Sequence, residues 1–541
     1  MDRLDRHARF IDDITRGRLT RREVIKRGAA LGLSSAAIAS LLTAMSRGPQ
    51  AAAAQSSATP AAEVKKGGEL RVGLTVDIAT LDPHFSGSKI DRQVFFNIYN
   101  ALVTLDTNLN IKPGLAESWD APDNKTYVFH LRQGVKFHDG TPLDAAAVKA
   151  NFDRMMDPAQ QSLRRGEVAS IDTVDVVDDA TVKLNLKQPD SALLATLTDR
   201  AGMIISPTAI QKYGKDLARN PVGTGPFQFV EWQKGDHIQI KRYDGYWDTG
   251  LPYLDSVRYR VILDDSVRIA ALKNNELDIV DTVPPPFVAD TKKAENLQTI
   301  DVPSLAVWWF WLNTTKPPFD NKSLRQAFAD AVDIETIVKS VYLGIGVPAN
   351  GPISPASWAY DKSIPPRKQD LDKAKSELSA GGKADGFSFT FEGSNNAIDL
   401  QVLQLVQAQI QQVGLKMDIT QVDTAKQIAD TVAHNFEATW AQWSGRPDPD
   451  GNTYNHFHTD GGMNYGAYSN PDVDKLLEQA REVSDHEQRK QIYSQVTKLL
   501  QDDVPAIFIW HPDEPKAMTK KLHDYSPIPD GMMRFAAVWL G

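Results

Sequence analysis

Arg21 and Arg22 stand side by side ahead of Glu23, Val24, Ile25 and Lys26, and the pattern they open removes the first 54 residues from the folding problem. Residues 28–45 are modestly apolar, and residues 51–54 are a run of alanines that supplies an Ala-x-Ala cleavage site. Basic region, apolar region and small-residue site, in that order, are the layout of an export signal. An amphipathic helix with chance arginines would not be followed on cue by Ala-x-Ala and an Ala/Ser/Pro linker at 55–62. A membrane anchor fits poorly, because the apolar stretch is rich in Ala, Ser and Gly and is only marginally long enough to span a bilayer. The expectation is a signal over residues 1–54, cut near Ala54, and a linker over 55–66.

The paired arginines resemble the twin-arginine signal of bacteria, which implies the twin-arginine export machinery as a partner. Composition agrees with an exported, soluble body. The whole chain carries a formal charge of −9; residues 1–54 hold ten Lys/Arg against five Asp/Glu, so the remainder sits near −14. So acidic a body is unsuited to nucleic acid, whose phosphates need basic surface. Cysteine is absent, which excludes disulfides, zinc thiolates, a thiol nucleophile and a lipid-modified cysteine after the signal. About 487 residues remain, more than one core usually holds, so two or more packed lobes are expected. No second apolar run is long enough to span a membrane.

Strand signals dominate residues 68–300. Leu70, Val72 and Leu74 alternate, as do Val257, Tyr259 and Val261; Ile238 and Ile240 mark another strand. Val174 and Val176, then Asp178-Asp179, then Val182, Leu184 and Leu186 read as two strands joined by a tight turn. Helical spacing takes over after about residue 320. It appears at Leu324, Phe328, Ala331 and Val332 behind Asp320 or Asn321 as cap, and at Leu403, Val406, Ile410 and Val413 with Gly414 as stop. Further helices are predicted through Leu476, Leu477 and Ala480, and through Ile492, Val496, Leu499 and Leu500.

Catalytic signatures are missing. There is no Gly-x-Ser-x-Gly elbow, no P-loop and no His-Glu-x-x-His, so no catalytic residue is assigned. Gly223-Thr224-Gly225 is flanked by Pro221 and Pro226, which donate no amide, and leads into a strand; a phosphate cradle needs free amides at a helix start. His456 and His458 lack a third ligand at metal spacing, so no metal and no cofactor are expected.

Long motifs remain. Leu81-Asp82-Pro83-His84, Ile98-Tyr99-Asn100-Ala101-Leu102, residues 113–119 (PGLAESW) and residues 129–142 (FHLRQGVKFHDGTP) come first. Residues 222–227 (VGTGPF), Asn313 with residues 317–321 (PPFDN), residues 325–328 (RQAF) and residues 470–477 (NPDVDKLL) come next, in order. Together they resemble the family-5 extracellular solute-binding proteins, which serve peptide, nickel and opine importers of the ATP-binding-cassette type, over essentially all of residues 68–520. Ala147 departs from the family, which often has Asp there. The resemblance implies an α/β, two-lobed periplasmic-binding-protein fold of type II, with an extra strand-rich subdomain in the first lobe. It places the first lobe in residues 67–302 and 513–541 and the second in 303–512, with hinge crossings near 300–304 and 510–516.

In related peptide binders the bound chain lies extended between two backbone stretches, one per lobe, as an added strand. The matching stretches are His84, Phe85, Ser86 and Gly87, and Gln442, Trp443, Ser444 and Gly445. Where many peptide binders carry an Asp that pairs with the peptide amine, this chain has Arg446, and a guanidinium prefers carboxylates. Two readings stay open: Arg446 binds a ligand carboxylate, or it balances Asp448 or Asp450 while Asp448 takes over the amine. Of Trp308, Trp309, Trp311, Trp440 and Trp443, core packing explains most, and Trp443 is expected to face the ligand. The reading is a non-catalytic periplasmic receptor, soluble after cleavage, that passes a peptide-like or opine-like solute to an ABC permease in the inner membrane. A nickel-chelate or oligosaccharide receptor and, from another class, a secreted hydrolase are the alternatives.

Overall fold

The computed structural model describes residues 64–123 and 125–541. Arg21, Arg22, the expected signal over 1–54 and most of the linker lie outside the described residues. A seven-stranded mixed sheet runs, edge to edge, through Leu297–Ile300, Lys516–Thr519, Ile279–Val280, Glu69–Leu74, Ser256–Val261, His237–Arg242 and Phe227–Gln233. A six-stranded mixed sheet runs through Val347–Pro348, Ala506–His511, Val307–Leu312, Ala438–Trp443, Ser388–Ser394 and Lys416–Val422. A four-stranded antiparallel sheet, Ala116–Asp123, Thr126–Leu131, Thr181–Leu186 and Ile171–Asp178, forms its own layer beside the first. The chain passes between the two large sheets twice, at 301–306 and 512–515. The two passages are bridged at Pro303 and Asp513, and the Glu514 amide donates to the Val302 carbonyl at 2.8 Å.

Local chemistry explains these elements. Asp144 caps the helix Ala145–Met156 by accepting from the Ala147 amide, and Asn321, not Asp320, caps Lys322–Ala331. Gly414 takes a φ of +87° after the helix end and releases the chain into Lys416–Val422. Residues 223–225 pack against the end of the helix Lys89–Ile98: a Cβ on Gly223 would lie 2.2 Å from the Ile98 carbonyl oxygen, and the Gly225 amide donates to that oxygen at 2.9 Å. Close approach, not phosphate binding, uses those glycines. The central strand Val307–Leu312 is covered on both faces, hence its unbroken apolar sequence. Val307, Trp309 and Trp311 pack into one core and Phe310 and Leu312 into the other. Each apolar core is drawn from one of the two large-sheet halves, apart from Ile345, which packs against the cluster around Ile269 and Leu272.

Candidate functional site

A cleft of about 720 Å³ lies between the two large-sheet halves. Its first wall carries Gly87, Ser88 and Lys89 at the start of the helix Lys89–Ile98, then Arg92 and Gln93 one turn on, with Arg200 behind them. Its second wall carries Trp308, Tyr342, Asp399, Trp443, Ser444, Arg446 and Trp510. Pro512, Asp513 and Glu514, in the second passage, close the floor.

Charge organises the first wall. Arg92 is buried and clasps Asp199 through Nε at 3.1 Å and Nη2 at 3.0 Å. Arg200, also buried, donates to the Ser86 carbonyl at 2.8 Å and stands 3.8 Å from Asp199; its Nε has no hydrogen-bond partner. Arg446 comes from the opposite wall. Its guanidinium lies 4.2 Å above the Trp443 ring, donates to the Gly445 carbonyl at 2.8 Å and reaches Glu167 at 3.9 Å. Arg164 occupies Glu167 more closely. Four guanidiniums thus share Asp199 and Glu167, and the buried Asp91 also feels the Arg200 charge, so the cations still outnumber the anions. Burial, and then the Arg92 charge, pull Arg446 down to about 10. Burial and then Arg164 pull Arg200 down as well. Burial alone would raise Asp199, but Arg92, Arg200 and Arg446 hold it below the usual carboxylate range. An electropositive site with its own anions outnumbered suits an incoming anion.

The second wall has an acid of opposite character. Asp399 is 3% exposed and accepts from Ser394 Oγ at 2.7 Å and Gln442 Nε2 at 3.4 Å. Burial pushes it up to about 6, with the Ser394 hydrogen bond opposing.

Among the residues expected to bind ligand, Gly87, Trp443, Ser444 and Arg446 line this cleft. Phe85 lies instead against the Arg154 guanidinium at 4.9 Å, and Ser86 is buried with its hydroxyl on Asp91 at 2.7 Å. Gly445 is buried at φ +76°, where a Cβ would meet the Leu305 carbonyl at 2.1 Å. The Ser86 and Gly445 carbonyls, which an added strand would use, already accept from Arg200 and Arg446. Asp448 lines only a neighbouring cavity of about 380 Å³, and both its oxygens are held by Arg489 at 2.7 Å. Asp450 is likewise held by Arg481 at 2.8 Å. Arg446 therefore balances neither acid. Asn452 sets it in place: its Oδ1 accepts from the Trp443 indole at 2.9 Å and the Arg446 amide at 2.8 Å, and its Nδ2 donates to the Arg446 carbonyl at 3.0 Å. His456 packs edge-on behind Trp443, where burial and then the Arg446 charge lower it to about 3. His458 points to Glu478. No group of three or more metal-ligating residues occurs among the described residues.

Arg92, Asp199, Arg200, Tyr342, Asp399 and Trp510 were not visible as site residues in the sequence. Arg92 sits on an otherwise amphipathic helix where a charged residue reads as solvent-facing, and Asp199-Arg200 reads as a surface pair.

The arrangement is a cleft between two lobes, and comparison with known proteins gives the class. Residues 110–465 match the model for bacterial extracellular solute-binding proteins, family 5. The chain is 35% identical over 473 residues to the glutathione-binding protein GsiB of Salmonella paratyphi A, covering 85% of this chain and 92% of that one. The periplasmic binding protein DppA of Helicobacter pylori in complex with the peptide STSA superposes with a TM-score of 0.81 at 27% identity, over 88% of this chain and 98% of that one. AgaA of A. tumefacien in complex with agropinic acid gives 0.79 at 27% identity, over 88% and 99%. The chain belongs to the family-5 extracellular solute-binding proteins, with the two-lobed α/β fold of that class, and is a transport receptor rather than an enzyme. Among the described residues no helix is long and apolar enough to cross a membrane.

The buried Asp448–Arg489 pair generates a prediction. Removing one partner of such a pair typically costs about 3–5 kcal/mol, because the other charge is left uncompensated. Asp448→Asn should lower stability by that order in a denaturant titration, while the folded protein keeps its ligand affinity. A variant as stable as wild type that had lost affinity would make Asp448 a ligand group instead.

Proposed function

We propose that this receptor captures a carboxylate-bearing, peptide-like solute of the glutathione class and delivers it to the permease of an ABC importer from the periplasm. The observation that carries this reading is the seam where Arg92, Arg164, Arg200 and Arg446 outnumber Asp199 and Glu167. Glutathione bears two carboxylates and one ammonium, so it supplies the missing negative charge. The likeness to a glutathione-binding protein supports the same class, and the likeness to AgaA, solved with agropinic acid, supports opine-like carboxylates as its neighbour. The use of the Ser86 and Gly445 carbonyls by guanidiniums favours a compact solute over a long extended peptide.

The same geometry couples binding to lobe closure. Arg92 and Arg200 belong to the first wall and Arg446 to the second, so one carboxylate satisfies both only when the walls meet. A ligand shifts a conformational balance by its differential affinity for the two states, and contacts made only when closed provide it. The passages at 301–306 and 512–515 are the hinge in this reading. We further propose that Arg21 and Arg22 direct export through the twin-arginine route, as suits a cysteine-free protein able to fold before crossing.

Two outcomes are expected. Losing one partner of a buried, hydrogen-bonded charge pair costs about 2–5 kcal/mol, and each 1.4 kcal/mol is about tenfold. Arg446→Ala should therefore weaken glutathione binding by roughly thirty-fold or more in calorimetric titration. A carboxylate-esterified ligand should lose little further affinity in that variant; wild-type affinity in Arg446→Ala would refute the assignment. For export, changing Arg21 and Arg22 together to Lys should leave uncleaved precursor in the cytoplasm, and normal periplasmic accumulation of the double variant would rule the route out.

A further inference from the structure

Asp399 is the other end of the cleft's charge distribution, and its surroundings have no function in the seam of arginines. It is buried in the first turn of the helix Ala397–Ile410, which Asn396 caps. A carboxylate gains from a helix N-terminus even when exposed, so that position does not require burial. Its hydrogen bonds come from two neutral groups, Ser394 and Gln442, and no cation reaches it among the described residues. Buried charges are normally paired. Beside it stands Tyr342, which is 1% exposed, lines the cleft and has a hydroxyl with no hydrogen-bond partner. Burial and then the Asp399 charge both resist ionisation of that hydroxyl, so it stays neutral. Tyr342 stacks on Trp510 with ring centroids 3.6 Å apart, and Trp308 meets Trp510 edge-on at 4.5 Å and Tyr342 at 5.7 Å. Trp308 and Trp510 also line the cleft.

We infer that Asp399, the Tyr342 hydroxyl and the rings of Trp308 and Trp510 form a subsite for the ammonium group of the ligand, at the pole opposite Arg446. This deepens the reading of a carboxylate-bearing, peptide-like solute and rests on it. An ammonium has three donors and no acceptor. The Asp399 carboxylate and the Tyr342 oxygen accept two of its protons, and indole and phenol faces attract the remaining charge. The cation also satisfies what the protein leaves unsatisfied: a buried carboxylate without a counter-ion and a buried hydroxyl without a partner. With carboxylate at Arg446 and ammonium at Asp399, the cleft fixes which way round a zwitterion lies. A neutral or purely anionic solute leaves one pole unpaired, so the subsite selects amino-acid-derived acids over simple carboxylic acids.

The test is calorimetric titration of wild type, Asp399→Asn and Arg446→Ala with reduced glutathione and with glutathione acetylated on its amine. Asp399→Asn keeps the shape and most hydrogen bonds of the side chain and removes only the charge. Wild type should bind the acetylated peptide about tenfold or more weakly than the free amine. Asp399→Asn should bind the two alike, and Arg446→Ala should still prefer the free amine. Equal affinity of wild type for both peptides, or undiminished discrimination by Asp399→Asn, would overturn the subsite. If wild type bound no glutathione at all, the glutathione-class reading would fall, and thermal unfolding of the protein alone would then decide the subsite. A carboxylate buried without a counter-ion opposes folding, so Asp399→Asn should raise Tm by roughly 1–3 °C. An unchanged or lowered Tm there would show that Asp399 serves the fold alone and would overturn the proposal.

Discussion

The receptor depends on a shortage of negative charge where its two halves meet. Asp199 is shared by Arg92 and Arg200 of the first wall, with Arg446 arriving from the second, and Glu167 is taken by Arg164 before Arg446 reaches it at 3.9 Å. Taking charges out of water is costly, and ion pairing repays that only when signs balance. Here they do not. The seam by itself is electrostatically incomplete, and in the function proposed above a ligand carboxylate completes it. On that proposal, binding energy comes from relieving an imbalance built into the protein, and a preference for an anion is a property of the fold and not of one side chain.

The rest of the architecture keeps that seam usable. Apart from Ile345, apolar burial stays within each half, and the contacts between halves include polar ones: Arg92 to Ser444 at 3.5 Å, the Ser191 amide to the Arg481 carbonyl at 3.0 Å, and Arg446 to Glu167. Polar contacts can be exchanged for water at small net cost, whereas an apolar interface would lock the halves together. Behind the second wall, Asn452, Trp443 and His456 hold Arg446 at its station, while the Asp448–Arg489 and Asp450–Arg481 pairs stabilise the segment that follows it. Positioning by buried, packed neighbours would let one guanidinium discriminate among solutes in the proposed function.

Much of the fold was legible in the sequence because strand and helix periodicities are local. The alternation of Leu70, Val72 and Leu74, the hairpin around Asp178-Asp179 and the helix stop at Gly414 all follow from side-chain spacing and backbone preference. Trp443 and Arg446 could be singled out because they fall in a recognisable stretch. Their partners could not. Arg92 lies 354 positions away from Arg446, and Asp399 only shows its lack of a cation once every neighbouring element is in place. Asp448 misleads for the same reason: next to Arg446 in sequence, it is paired in space with Arg489. Charge balance is a tertiary property, and a linear chain does not display it.

The central claim, that arginines from both walls hold one ligand carboxylate, is tested most directly by a crystal structure of the receptor with bound glutathione. The account predicts a ligand carboxylate within about 2.7–3.2 Å of Arg446 and of Arg92 or Arg200 at once. A complex in which those guanidiniums keep only Asp199 and Glu167, with both ligand carboxylates turned to solvent, would contradict it.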